Sequence, residues 1–160
     1  MKFAVLSDTH NNLANFKKAV DWIKKENIGL ILHCGDTSSQ EALDGMKEYF
    51  LGGEIKFVKG NADFEMDLPN FMELEINPSA SSGQAKKIIF THFPNNAKKA
   101  AKSGKYDLVF YGHTHRAWDE KVGNCHMINP GEMAGHFYKP TFAVYNTDAE
   151  LLELKILEKL

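Results

Sequence analysis

Apolar residues fall along this chain in two rhythms. Lys2 to Ser7 is nearly continuously apolar and of strand length, and Leu13, Phe16, Val20 and Ile23 then recur at the spacing of one helix face. Leu30 to Cys34 predicts a second buried strand, Gln40 to Tyr49 a helix, and Ile55 to Val58 a third short strand. Strands alternating with helices imply parallel pairing. After Asp63 the texture changes. Phe71 to Ile76 alternates like a half-exposed strand; Asn77 to Lys86, with Pro78, Gly83 and several serines, reads as a hairpin loop; Lys87 to Thr91 is the returning strand. Ala97 to Lys102 predicts a helix with a solvated lysine face and Asp107 to Tyr111 a strand, while Cys125 to Ile128, Thr141 to Tyr145 and Leu151 to Leu157 complete a β-rich second half. No repeat, low-complexity tract or Pro/Gly-rich linker divides the chain. Residues 1–160 are therefore expected to form one domain, its two textures being the two sheets of a sandwich.

Polar residues mark the strand ends. Asp8 and His10 follow the first strand, Gly35-Asp36 the second and Gly60-Asn61-Ala62-Asp63 the third; Thr91-His92 and Gly112-His113-Thr114-His115 close two later ones. In open α/β sheets the carboxyl ends of the strands form the binding crevice, so these residues are expected to converge. Imidazole nitrogen, carboxylate oxygen and an amide carbonyl suit manganese, iron, nickel or zinc without a thiolate. Asp8, His10, Asp36, Asn61, His92, His113 and His115 are seven candidate ligands, more than one ion with an open position can use. Two ions fit better than one, and a carboxylate such as Asp36 can bridge them.

Taken singly, each position has a plainer reading. Asp-x-His after a strand is an ordinary cap with a surface histidine, and Gly-Asp an ordinary turn. Five such coincidences in order, each at a strand end, weigh against that reading. His33 and His126 lie within strands and read as structural, and His136, in a Gly-rich loop, reads as a surface histidine or a rim residue.

Composition narrows the function classes. The chain has 160 residues, 43% apolar and 25% charged, with 19 basic against 21 acidic side chains. That is enough length for one core without staples. The near-neutral balance and the lack of a basic run longer than two residues argue against a dedicated nucleic-acid binder. Asp8 and His10 interrupt the first apolar run too early for a signal peptide, and no later run approaches the ~20 residues of a membrane span. Cys34 and Cys125 read as core residues, and a reducing cytoplasm is expected.

Asp8-Thr9-His10, Gly35-Asp36, Gly60-Asn61-x-Asp63, His92 and Gly112-His113-Thr114-His115 resemble, in order and spacing, the calcineurin-like metallophosphoesterase superfamily. The flanks Leu6-Ser7-Asp8-Thr9-His10, His33-Cys34-Gly35-Asp36 and Asn129-Pro130-Gly131 look like its small bacterial and archaeal phosphodiesterase branch. The resemblance implies an α/β fold, a four-layer αββα sandwich of two mixed β-sheets flanked by helices. It implies that Asp8, His10, Asp36 and His115 hold one divalent ion and Asp36, Asn61, His92 and His113 a second. Manganese is the first expectation, with nickel, iron, zinc and magnesium as alternatives. Asn61 would also touch the substrate phosphate. The implied reaction is hydrolysis of small phosphodiesters, and secondarily of phosphomonoesters, by in-line attack of a metal-bridging hydroxide.

Three positions depart from the family pattern. Ala62 stands where many members carry a histidine, the general acid, which leaves Asp63 without its usual imidazole to orient. Phe93 follows His92 where glycine is common, and Asn11 replaces a frequent glycine but tolerates left-handed backbone. The alternative function is a non-catalytic scaffold, because the superfamily includes a retromer subunit that keeps the fold and uses its surfaces for protein contacts. Complete ligands favour the enzyme; a nuclease would want a basic groove and a capping domain. A small phosphodiester is thus the expected partner, and a homo-oligomer stays open.

Overall fold

The computed structural model describes residues 1–77 and 84–160. β1 (Lys2–Leu6), β2 (Leu30–His33) and β3 (Glu54–Phe57) pair in parallel, with α1 (Leu13–Lys25) and α2 (Gln40–Tyr49) as crossovers. Each helix starts at a polar cap: the side chain of Asn12 accepts from Asn15 N–H and that of Ser39 from Ala42 N–H. β4 (Phe71–Ile76) and β5 (Lys86–Thr91) pair antiparallel as the expected hairpin, whose residues 78–83 lie outside the described ones. α3 (Pro94–Lys102) leads into β6 (Leu108–Phe110), parallel to β5, and then come β7 (Trp118–Val122) and β8 (Cys125–Asn129). β9 (Thr141–Asn146) and β10 (Leu151–Ile156) return to the first sheet. The strand orders are β10-β9-β1-β2-β3 and β4-β5-β6-β8-β7, both mixed.

Strand alternation divides the core into three layers of contact. Ala4 and Leu6 face Phe16, Ala19, Val20 and Ile23 of α1 and Leu43 and Met46 of α2. Phe3, Val5, Leu30 and Leu32 face the other way, against Ile88, Phe90, Leu108, Phe110 and Ile128 of the second sheet. Ile89, Val109 and Met127 then pack on Ala97 and Ala101 of α3. The order helix, sheet, sheet, helix is the expected four-layer α/β sandwich. Large aromatics fill both the layer between the sheets (Phe3, Phe90, Phe110) and the layer under α1 and α2 (Phe16, Phe142), each contributing roughly 1.5–3 kcal/mol when fully buried. Among the described residues no helix is long and apolar enough to cross a membrane.

The sheets do not divide as the two sequence textures suggest. β9 and β10 come from the second half of the chain, yet β9 pairs with β1 and β10 with β9, so the first sheet is built from both ends of the sequence. β7 was not expected at all: Trp-Asp-Glu-Lys-Val is an edge strand with nearly every side chain in solvent, so it lacks the alternation that marks a half-buried strand. α3 begins three residues before the expected Ala97, because Pro94 fits the first helical turn without needing its missing N–H.

Candidate metal centre

Parallel strands in both sheets deliver their carboxyl-terminal loops to one end of the sandwich. The loop after β1 runs alongside the loop after β2, with Asp8 N–H donating to Gly35 O, His10 N–H to Asp36 O and Asn11 N–H to Thr37 O. Gly112 N–H donates to His92 O, tying together the loops after β5 and β6. His113 N–H, at 3.1 and 3.2 Å from the two Asp8 oxygens, joins the sheets. Glycine permits this crowding: a Cβ on Gly60 would lie 2.1 Å from Asp36 Oδ1, and one on Gly112 would lie 1.9 Å from Ser7 Oγ.

The backbone is strained where the candidate ligands sit. Asp8, His10, Asp36, His113 and His115 all hold left-handed φ angles between 43° and 69°. Such residues cost of order ~1–3 kcal/mol each and cluster at functional sites. Asn11, at φ 62°, adopts the left-handed turn its side chain tolerates.

The side chains converge in two groups. Ligand atoms of Asp8, His10 and His115 lie within 4.8 Å of one another, and so do those of Asp8, Asp36 and His92. Asp36 Oδ2 is 3.5 Å from both His10 Nε2 and His92 Nε2. Asn61 Oδ1 lies 3.0 Å from His92 Nε2 and 2.9 Å from His113 Nδ1. All seven sequence candidates therefore share one site.

The donor set fits divalent cations. His92 Nδ1 donates to Cys34 O at 2.8 Å, which aims the lone pair of Nε2 at Asp36 and Asn61. His115 Nδ1 is 2.9 Å from Glu132 Oε2, which aims its Nε2 lone pair at Asp8 Oδ1, 3.5 Å away. Burial holds the His10 and His92 imidazoles below their ordinary pKa, so both rings are neutral at pH 7. His10 Nε2 is buried without a hydrogen-bond partner. Acceptors facing acceptors in a buried site repel one another; a cation among them turns that repulsion into coordination.

The calcineurin-like phosphoesterase superfamily domain matches residues 1–150 of the chain. The chain belongs to this superfamily. It is 32% identical to the phosphodiesterase MJ0936 of Methanocaldococcus jannaschii, over 99% of this chain and all of that protein. It is 26% identical to the probable metallophosphoesterase YsnB of Bacillus subtilis, over 83% of this chain and 75% of that protein. A solved archaeal phosphodiesterase superposes with a TM-score of 0.82 at 29% identity, covering 98% and 99% of the two chains. Vps29 of Chaetomium thermophilum shares the fold, with a TM-score of 0.74 at 16% identity over 98% of this chain and 94% of that one.

The phosphoesterase fold also gives roles to residues that sequence reasoning missed or undervalued. Glu132, fully buried, was not singled out. Besides His115 it accepts the N–H groups of His136, Phe137 and Tyr138. Burial alone would raise its pKa, but those hydrogen bonds hold it below the usual carboxylate value. A signal was present: Glu132 follows β8, another parallel strand, just as the candidate ligands follow theirs. His136 is exposed, and its ring stacks on His10 at 5.4 Å, which makes it a rim residue.

Asp63 has no histidine at position 62 to orient and instead fastens two loops. Its carboxylate accepts from Asp36 N–H, Ser38 N–H, Gly60 N–H and Thr37 Oγ1–H at 2.7–2.9 Å. Burial opposes ionisation, but these bonds outweigh it and lower the pKa. His33 is structural as expected, its Nε2 2.8 Å from Thr9 Oγ1 and its pKa pushed down to about 4 by burial. His126 pairs with Asp119 across the β7–β8 hairpin, away from the site.

Asp8 yields a test of metal linkage. Burial, reinforced by the Asp36 charge, raises its pKa from 3.8 to about 7 in the metal-free site. Below 3.8 this group's contribution to metal-free stability is fully present; as pH rises through about 7 the folded protein must give up a proton already lost by the unfolded chain, and the contribution disappears. A cation restores it by pairing the carboxylate. His33 has the opposite pH slope, so the difference between metal-loaded and metal-free protein is the informative quantity. Added manganese is expected to raise Tm by more at pH 8 than at pH 5.5; a larger rise at pH 5.5 would contradict the assignment of Asp8.

Proposed function

We propose that the chain is a metal-dependent phosphodiesterase, with residues 1–160 acting as one domain and a binuclear site hydrolysing small phosphodiesters. The observation that carries the reading is the single Asp36 oxygen equidistant from His10 Nε2 and His92 Nε2. Asp8, His10, Asp36 and His115 would hold one ion, and Asp36, Asn61, His92 and His113 the other. Borderline-hard N and O donors without thiolate favour manganese, with nickel, iron, zinc and magnesium as alternatives. When bound, such a pair of ions supplies a nucleophilic water at neutral pH and Lewis acidity toward phosphoryl oxygens.

The chain's own residues set the conditions for that chemistry. Asp36 contributes negative charge to both ligand groups, which limits their mutual repulsion. Cys34 O and Glu132 hold the His92 and His115 rings in the orientation that keeps a lone pair toward the site. The Asn61 side chain, exposed at the mouth between two imidazoles, is positioned to meet the phosphate. Ala62 offers no proton to a departing oxygen. The relative named a phosphodiesterase, matched along its whole length, supports the diester over the monoester reading.

Turnover of bis(p-nitrophenyl) phosphate is expected to disappear after EDTA treatment and dialysis. It should return with manganese, nickel, magnesium or zinc, manganese giving the largest rate. Chelator-insensitive turnover in protein shown free of metal would refute this reading. No turnover with any of the four metals, despite tight metal binding, would instead assign the chain to the scaffold function.

A further inference from the structure

The candidate site is bordered by two groups of aromatic rings, with the Asp36 and Asp8 carboxylates between them. In one, His10 stacks on His115 at 5.1 Å and on His136, and Phe137 stands edge-on to His115 at 5.1 Å. In the other, Phe93 lies 5.0 Å from His92 and 5.1 Å from His113. Each group ends in a phenylalanine open to solvent: Phe137 is 76% exposed and Phe93 38%. Neither belongs to a hydrophobic core cluster.

These rings sit on fixed backbone. Phe93 caps α3 directly after His92. Phe137 N–H donates to Glu132 Oε1 at 2.7 Å, and the other oxygen of that carboxylate pairs with His115. One buried carboxylate thus orients a candidate ligand and positions an exposed aromatic ring beside it. An exposed phenylalanine gains by being covered, and a ring covers it best with a second planar ring. A phosphodiester held at the metal centre projects two ester groups, and the two phenylalanines flank that centre. The chemistry of position 62 bears on the aryl source alone: with no proton donor there, an aryl oxide departs more readily than the sugar alkoxide of a nucleotide ester.

We propose that Phe93 and Phe137 are stacking platforms for the ester groups, and that the substrate class is phosphodiesters bearing planar rings, whether aryl esters or nucleobases. This inference rests on the phosphodiesterase reading above. Phe93 and Phe137 are specificity determinants in it, and Glu132 is the positioning residue that holds the second platform.

The test compares diesters of equal bulk that differ in planarity. Diphenyl phosphate and dicyclohexyl phosphate are titrated calorimetrically into manganese-loaded protein, wild type and Phe93→Leu/Phe137→Leu, and the heat of any hydrolysis, fixed from the phenol or cyclohexanol released, is subtracted from each injection. Diphenyl phosphate is expected to bind wild type about tenfold more tightly, within the range alanine substitution gives for ring stacking on aromatic side chains. In the double variant, which keeps apolar bulk but not the rings, the ratio should fall below about twofold. Thymidylyl-thymidine, added as a third ligand, tells the two sources apart: tighter binding than diphenyl phosphate points to nucleobases, weaker binding to aryl esters. Equal affinities for the phenyl and cyclohexyl esters in wild type, or a ratio unchanged in the variant, would overturn the proposal. Turnover of bis(p-nitrophenyl) phosphate in the same preparation separates the two levels. Metal-dependent turnover without ring preference refutes only the platforms, whereas absent turnover refutes the phosphodiesterase reading. A dimer that dissociates in the variant while the affinity ratio stays unchanged would assign the rings to a subunit interface instead.

Discussion

Asp36→Asn is expected to lower kcat/KM for bis(p-nitrophenyl) phosphate by more than about 100-fold, while raising the Tm of the metal-free protein. The substitution is isosteric and preserves the Oδ1 atom that accepts Ala62 N–H at 2.7 Å, so the loops remain tied. What it removes is charge. In the metal-free site that charge sits near Asp8 and helps to push its pKa up, so losing it relieves repulsion between two buried carboxylates. In the proposed metal-loaded site the same charge would be shared between both ligand groups, and its loss would weaken both. Removing a residue that merely orients a ligand typically costs 10–100-fold, and Asp36 should exceed that range. His33→Ala provides the contrast: His33 is buried and props Thr9, so it should lower Tm and cost less activity. Stability and activity moving in opposite directions for Asp36→Asn cannot come from misfolding. Equal activity losses in the two folded variants, or a metal-induced Tm shift that survives Asp36→Asn, would remove Asp36 from the bridging position.

The second large effect concerns the leaving group. A positioned acid is typically worth 10²–10⁴-fold in rate when a poor leaving group departs. Position 62, beside Asp36 and Asn61, carries only a methyl group, so rates across a series of substituted-phenyl and alkyl phosphodiesters should fall steeply as leaving-group pKa rises. The site geometry changes what a repair can achieve. All four lone-pair directions of the Asp63 carboxylate are taken by Asp36, Ser38, Gly60 and Thr37, so a histidine installed by Ala62→His would find no carboxylate to orient it. The variant is expected to recover less than tenfold on alkyl esters. A flat dependence in the parent protein, with chemistry shown to limit the rate, would mean that an acid exists. His136, exposed and stacked on His10, would be the residue to replace next.

Several features were legible in the residues themselves. The parallel strands β1, β2, β3, β5 and β6 announce themselves by short apolar runs, and each is followed within a few residues by glycine, aspartate, asparagine or histidine. Because a parallel strand must deliver its next loop to the same end of the sheet as its neighbours, local order in the sequence became convergence in space for all seven candidate ligands. α1 and α2 were equally readable, since one apolar face at helical spacing has one way to be buried.

Only the tertiary structure decided the rest. Alternation reports that a strand is buried but not which strand it pairs with, so β9 and β10 joined β1 rather than the sheet of their sequence neighbours. β7, an edge strand in solvent, left no periodic trace. The work of Glu132 and Asp63 depends on which distant N–H groups reach their oxygens, and the direction of the Nε2 lone pairs of the candidate ligands His92 and His115 depends on acceptors that fix the opposite ring nitrogen. Residue type supplies the lone pairs; the direction in which they point is set by atoms as far as 58 positions away, as between His92 and Cys34.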